Sequence, residues 1–106
     1  MKVTDMKNPE MYSMLWGIEC GDGWKDMLNN LTDEIKQIQP DFKFSQVKEK
    51  FGTLRAYCMG AIDGVYDVID KYEKISATTC EICGSKGKLC DDSWWMKVIC
   101  NKCKED

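Results

Sequence analysis

Two cysteine pairs stand near the end of the chain, Cys80-Glu81-Ile82-Cys83 and Cys100-Asn101-Lys102-Cys103, separated by the 16 residues from Gly84 to Ile99. That spacing is the one expected of a four-thiolate zinc site. Each pair forms a tight knuckle that offers two sulfurs to one tetrahedral ion, and the residues between suffice for a short hairpin. So short a segment cannot bury enough apolar surface to hold itself, whereas apparent zinc-binding energies of small finger peptides are about 10–16 kcal/mol. The expectation is one structural Zn2+ held by Cys80, Cys83, Cys100 and Cys103, and a tail that loses its fold without it. Iron in a rubredoxin-like site uses the same ligands and is the chief rival.

The neighbours of the cysteines fit this reading. Gly84 follows Cys83 and lets the backbone turn back with its N–H groups directed at sulfur. Lys104 holds the matching place after Cys103, so the second knuckle is less typical. Lys86, Lys88, Lys102 and Lys104 offset the excess negative charge of a four-thiolate site. Cys90 lies between the knuckles beside a turn-like Asp91-Asp92-Ser93 and is read as a free thiol. Cys20 and Cys58 occupy apolar positions and are read as small buried hydrophobes. Trp94 and Trp95 fall on the second ribbon strand and must face opposite sides of it, one packing inward, the other open to a partner.

Upstream, the apolar pattern changes period several times. Asn8-Pro9-Glu10 reads as a helix start, followed by Met11, Met14, Leu15 and Ile18 and ended by Gly21. Asp22 is placed to cap a second helix whose stripe is Trp24, Met27, Leu28, Leu31, Ile35 and Ile38, stopped at Gln39-Pro40. Phe42 and Phe44, then Leu54, Ala56 and Cys58, alternate with polar residues and predict an antiparallel hairpin bending near Lys50-Phe51-Gly52. Ile62, Val65, Tyr66, Ile69 and Tyr72 return to helical spacing. The predicted fold class is α+β: helices packed on a two-stranded antiparallel hairpin, with a C-terminal four-cysteine zinc ribbon. Residues 1–79 form the core and residues 80–106 the ribbon packed on it.

With 106 residues, 43% hydrophobic and 31% charged, the chain suits one compact domain with a metal-stapled appendage. No apolar run is long enough to cross a bilayer, and the first residues lack the apolar core of a secretory signal. Cytoplasmic placement and reduced thiols follow as expectations, despite seven cysteines. The net charge of −3 gives no global attraction to nucleic acid or membrane, but it is unevenly spread. Residues 1–41 carry four lysines against eight acids, whereas residues 42–58 carry Lys43, Lys48, Lys50 and Arg55 against Glu49 alone.

That basic stretch, Gln46 to Tyr57, gathers cations, Phe51, Tyr57 and a glycine bend. Such a surface suits phosphates or single-stranded nucleic acid, with Lys48, Lys50 and Arg55 on the backbone and Phe51 or Tyr57 stacking on bases. The plainer account, which the small number of cations favours, is a half-buried hairpin whose Lys48 and Lys50 pair with acids of neighbouring helices. Catalysis has little support. The chain has no histidine, the usual general base, and no phosphate loop or dinucleotide fingerprint. Cys20 is flanked by Glu19 and Asp22, which raise a thiol pKa and make it a poor nucleophile.

Cys20-Gly21-Asp22-Gly23-Trp24, then Gln46-Val47-Lys48-Glu49-Lys50-Phe51-Gly52-Thr53-Leu54-Arg55-Ala56-Tyr57, then Thr79-Cys80-Glu81-Ile82-Cys83-Gly84 resemble a family of small zinc-ribbon proteins from bacteriophages and prophages. The resemblance spans about residues 20–103, and the middle motif is its specific part. It implies zinc binding and a bacterial host cell, and it carries no activity. The position of Ala56 is often aromatic in that family, and the final knuckle can use histidine. This chain departs at both. Three functional expectations follow. The first is capture of a host or defence protein without catalysis. The second is a nucleic-acid adaptor using the basic hairpin, and the third a nucleotide or small-ligand binder with a cleft near Trp24 and Arg55.

Overall fold

The computed structural model describes residues 1–92 and 95–105, with the side chains of residues 91, 92, 95 and 105 left aside. Trp94, and the side chain of Trp95, therefore lie outside the described residues. Short 3-10 turns at Val3–Asp5, Pro9–Met11 and Asp22–Trp24 punctuate the N-terminal part, with strand β1 at Ile18–Glu19. Then follow helix α1 (Lys25–Ile38), strands β2 (Phe44–Lys50) and β3 (Thr53–Cys58), and helix α2 (Asp63–Ser76). Strands β4 (Lys88–Asp92) and β5 (Trp95–Ile99) and a short helix α3 (Asn101–Glu105) complete the chain. The architecture is mixed α+β with small sheets, as the sequence implied.

The hairpin forms at the expected place. Lys50 pairs with Thr53, leaving Phe51 and Gly52 as a two-residue turn, and both have positive φ (53° and 88°). That is the backbone a tight right-twisted hairpin demands, and it costs glycine nothing. A third strand joins: β1 runs parallel to β2, with Ile18 opposite Val47 and Glu19 opposite Lys48. The hairpin is thus part of a three-stranded sheet, because a long-range parallel pairing recruits residues that local periodicity assigned to a helix.

The expected helix from Pro9 to Gly21 is accordingly absent. Pro9–Met11 is the one helical piece of this stretch among the described residues, a 3-10 segment, and the side chain of Asn8 makes no cap. Asn8 is buried and donates instead to Thr32 Oγ1 at 2.8 Å and Asp33 Oδ1 at 3.0 Å on α1. Ser13 Oγ accepts the N–H groups of Leu15 and Trp16, and the Gly17 N–H reaches the Ser13 carbonyl at 2.9 Å. These local bonds compete with a helical ladder and close a turn. Asp22 likewise makes no side-chain cap; its carboxylate takes the chain's N-terminal amine at 3.1 Å, and α1 starts three residues later.

One face of the sheet packs on α1 and α2. Trp24, Leu28, Leu31, Ile35, Val47, Leu54 and Val65 are buried there together with Phe42 and Phe44. The outer edge of β3 is closed by α2: the Leu54 N–H donates to Ser76 Oγ at 2.9 Å, and the Ala56 N–H to Glu73 Oε2 at 3.4 Å. Side chains thereby satisfy donors that would otherwise present a bare edge.

High pH should loosen this core. Burial first, then Glu81, pushes the Cys20 thiol up from 9.0 to about 12. Burial and the bond to Glu34 push Tyr72 from 10.0 to about 12. Burial also raises Tyr12. Each group binds its proton more tightly folded than unfolded, so stability is full below pH 9 and falls as pH climbs from 9 towards 12. Thermal melts at pH 8 and pH 10.5 should show a lower Tm at the higher value, and Cys20→Ala should lessen the drop.

Candidate metal centre

Cys80, Cys83, Cys100 and Cys103 converge, their sulfurs all within 4.8 Å of one another. Metal–sulfur bonds of about 2.3 Å in a tetrahedral shell place neighbouring sulfurs about 3.8 Å apart. Cys83 Sγ and Cys100 Sγ stand 3.6 Å apart. The geometry is compatible with one metal ion.

Two turns bring the sulfurs together. In the first, the Gly84 N–H returns to the Cys80 carbonyl at 2.9 Å, and Gly84 has φ +84°, as expected for its place after Cys83. The Cys80 N–H reaches the Ser85 carbonyl at 2.7 Å. In the second, the start of α3 supplies the turn: the Cys103 N–H points at Cys100 Sγ, 3.4 Å away, and the Lys104 N–H bonds the Cys100 carbonyl at 3.0 Å. A helical turn therefore does at the second pair what glycine does at the first. Between them β4 and β5 pair antiparallel, Lys88 opposite Ile99, and Cys80, Ile99 and Cys100 form a small buried cluster. Cys90 packs against this cluster and is not one of the four converging thiols.

Electrostatics favour a bound cation. The Ser85 side chain and backbone, then Cys100 and Cys103, bring the Cys83 thiol down to about 6. Burial opposes ionisation of Cys80, yet the backbone N–H groups of Cys83, Cys100 and Ile82 outweigh it and lower that pKa too. Cys103 goes the other way, to about 12, pushed first by Cys100 and then by burial and by the remaining sulfurs. Some sulfurs are prepared as thiolates while another holds its proton against them, the frustration that a divalent cation relieves.

A residue the sequence analysis missed fastens the centre to the sheet and helices. Glu81, inside the first knuckle, is buried; its Oε2 accepts the Gly21 N–H at 2.8 Å and its carbonyl accepts the Gly23 N–H at 2.8 Å. Its own N–H donates to the Val98 carbonyl at 3.0 Å. The approach explains both glycines of Cys20-Gly21-Asp22-Gly23-Trp24. A Cβ on Gly21 would lie 2.4 Å from the Glu81 carbonyl oxygen, and one on Gly23 would lie 2.3 Å from that of Cys80. Two glycines spaced by one residue, far from any hairpin turn, were the available signal for such a close crossing. Trp24 adds a third tie, its Nε1–H donating to the Thr79 carbonyl at 2.9 Å.

Of the other expected site residues, Lys48, Lys50, Arg55 and Tyr57 lie on the face of the hairpin turned away from the helices, and Phe51 stands in its turn. Register places Gln46 opposite Tyr57, Lys48 opposite Arg55 and Lys50 opposite Thr53, so these six share the outward face. Val47 and Leu54 fill the inward one. The ion pairs expected for Lys48 and Lys50 are absent: among the described residues neither they nor Arg55 pairs with an acid. The helices that carry the acids pack on the other face. A cleft of about 530 Å³ is lined in part by Asp22, Lys25, Asp26, Asn30, Tyr72 and Cys83. Neither Trp24 nor Arg55 is among its lining residues.

No protein-family model, curated protein or solved structure matches the chain. Among the described residues, no helix is long and apolar enough to cross a membrane.

Proposed function

We propose that the protein is a non-catalytic binding module of a bacteriophage or prophage, its tail fixed by one structural zinc ion, that captures a host or defence protein. The observation that carries this reading is the turn Met14-Leu15-Trp16. These side chains are 85%, 82% and 56% exposed, three consecutive large apolar residues held in water. The bonds to Ser13 fix the turn before any partner arrives, which lowers the ordering cost of association. Tryptophan is the residue most often found at the energetic centre of protein interfaces. The local charge of residues 1–41, four lysines against eight acids, repels anionic lipid and suits an apolar groove with a basic rim.

Zinc is the ion that best suits four thiolates closed in a tetrahedron with no open position. Elemental analysis should return one zinc per chain; a coloured, iron-loaded protein would refute that part. For the partner, the test is affinity capture from bacterial lysate with the wild-type protein and Trp16→Ala side by side. The wild type should recover a stoichiometric protein and the variant should lose it by roughly 30-fold or more, as truncation of an interface anchor does. Equal recovery by the two, or no partner at all, counts against the proposal.

A further inference from the structure

The geometry points to the outward face of β2 and β3 as a binding site for single-stranded nucleic acid, with Lys48, Lys50 and Arg55 on phosphates and Phe51 and Tyr57 stacked on bases. Three observations meet here, and none involves the Met14–Trp16 turn.

First, the cations are arranged together on one face. Lys48 lies directly across from Arg55, and Lys50 follows on the same face two residues along, a step of about 6.6 Å on a strand. Among the described residues none of the three is consumed by an acid. Glu19, beside Lys48 on β1, belongs to this neighbourhood, and its Oε1 is occupied by Gln46 Nε2 at 3.0 Å. Second, aromatics are interleaved with the cations. Lys48 Nζ stands 6.0 Å from the Tyr57 ring centre and Lys50 Nζ 5.6 Å from that of Phe51. Contacts this long are weak and exchange readily for a phosphate, freeing the ring face for a base. The rings are 43% and 63% exposed.

Third, Phe51 is an unusual residue for its place in the turn. It occupies the left-handed region, φ +53°, which a bulky side chain disfavours and which asparagine or glycine fills readily. It also stays largely exposed. Backbone strain at an exposed aromatic on a cationic surface is the pattern of a residue kept for contact. An acidic protein segment would satisfy the three charges but gives no reason for two unburied rings beside them, so the nucleic acid is the better occupant.

The test is fluorescence anisotropy of the full, metal-loaded chain with labelled twelve-nucleotide oligothymidine and oligouridine. Three phosphate contacts predict a log–log salt slope of about −2, hence roughly 20-fold weaker binding between 50 and 200 mM salt. Each of Lys48→Gln, Lys50→Gln and Arg55→Gln should flatten that slope by about 0.7. Tyr57→Ala should weaken binding roughly five-fold or more with the slope unchanged. Phe51→Asn separates contact from folding, since it should raise Tm while weakening binding. Trp16→Ala should bind as wild type. No binding at low salt, equal affinity for duplex, displacement by polyglutamate as effective as by unlabelled oligonucleotide, or wild-type affinity in both aromatic variants would each overturn the assignment.

Discussion

Stripping the proposed metal with a strong chelator is expected to unfold the two cysteine turns and the β4–β5 pair while α1, α2 and the three-stranded sheet persist. Among the described residues this segment buries little apolar surface of its own, chiefly Val98 and the Cys80, Ile99 and Cys100 cluster. A site of this class supplies about 10–16 kcal/mol in isolated finger peptides, far above what one small cluster contributes. Loss of the ion also leaves several sulfurs crowded within 4.8 Å, where Cys83 and Cys80 favour the thiolate and Cys103 resists it. Hydrogen exchange read by mass spectrometry should show the amides of Glu81 and Lys104 losing protection, with those of Leu28 and Leu31 retained. Cys100→Ser should reproduce the effect in the presence of excess zinc. A chelated protein with an unchanged exchange pattern would refute the structural role of the site.

Trp24→Ala is expected to lower stability by about 3–5 kcal/mol, the usual cost of emptying a large aromatic site in a core. Trp24 is fully buried, at the junction where α1 begins and where Gly23 meets the first knuckle. The substitution also leaves the Thr79 carbonyl without its indole donor. Total stabilities of small domains run to about 5–15 kcal/mol, so the substitution should remove a large fraction of the total and lower the Tm markedly. Trp24→Phe keeps most of the apolar volume and removes only the hydrogen bond, and should cost about 1–3 kcal/mol. Denaturant titration of the three proteins measures both steps; equal midpoints for the two variants would show that packing at this position contributes little.

What could be read from the chain depended on how local the governing interaction is. The cysteine spacing carried the cluster because knuckle geometry is set within four residues. The α1 and α2 stripes were legible since Leu28, Leu31 and Ile35, or Val65, Ile69 and Tyr72, recur at the period of the helix that buries them. The bend at Phe51-Gly52 was marked by its glycine. Met11, Met14, Leu15 and Ile18 have the same helical spacing and misled, because Met11 is buried, Met14 and Leu15 are in water and Ile18 pairs with Val47. That pairing joins residues 29 positions apart, and nothing in a short window announces it. Glu81 escaped notice for the same reason: inside a knuckle it looks like a solvated acid, and its partners, Gly21 and Gly23, lie some 60 positions upstream.

Gly52 bridges to Lys97 on β5, and a Cβ there would strike Leu89 on β4 at 2.5 Å. The tip of the hairpin thus leans on the ribbon whose ends the cysteines hold. Alanine scanning will therefore return cysteine variants that look like contact-deficient ones, although their sulfurs touch no partner. Sorting the two classes requires scoring every variant for metal content before its affinity is ranked.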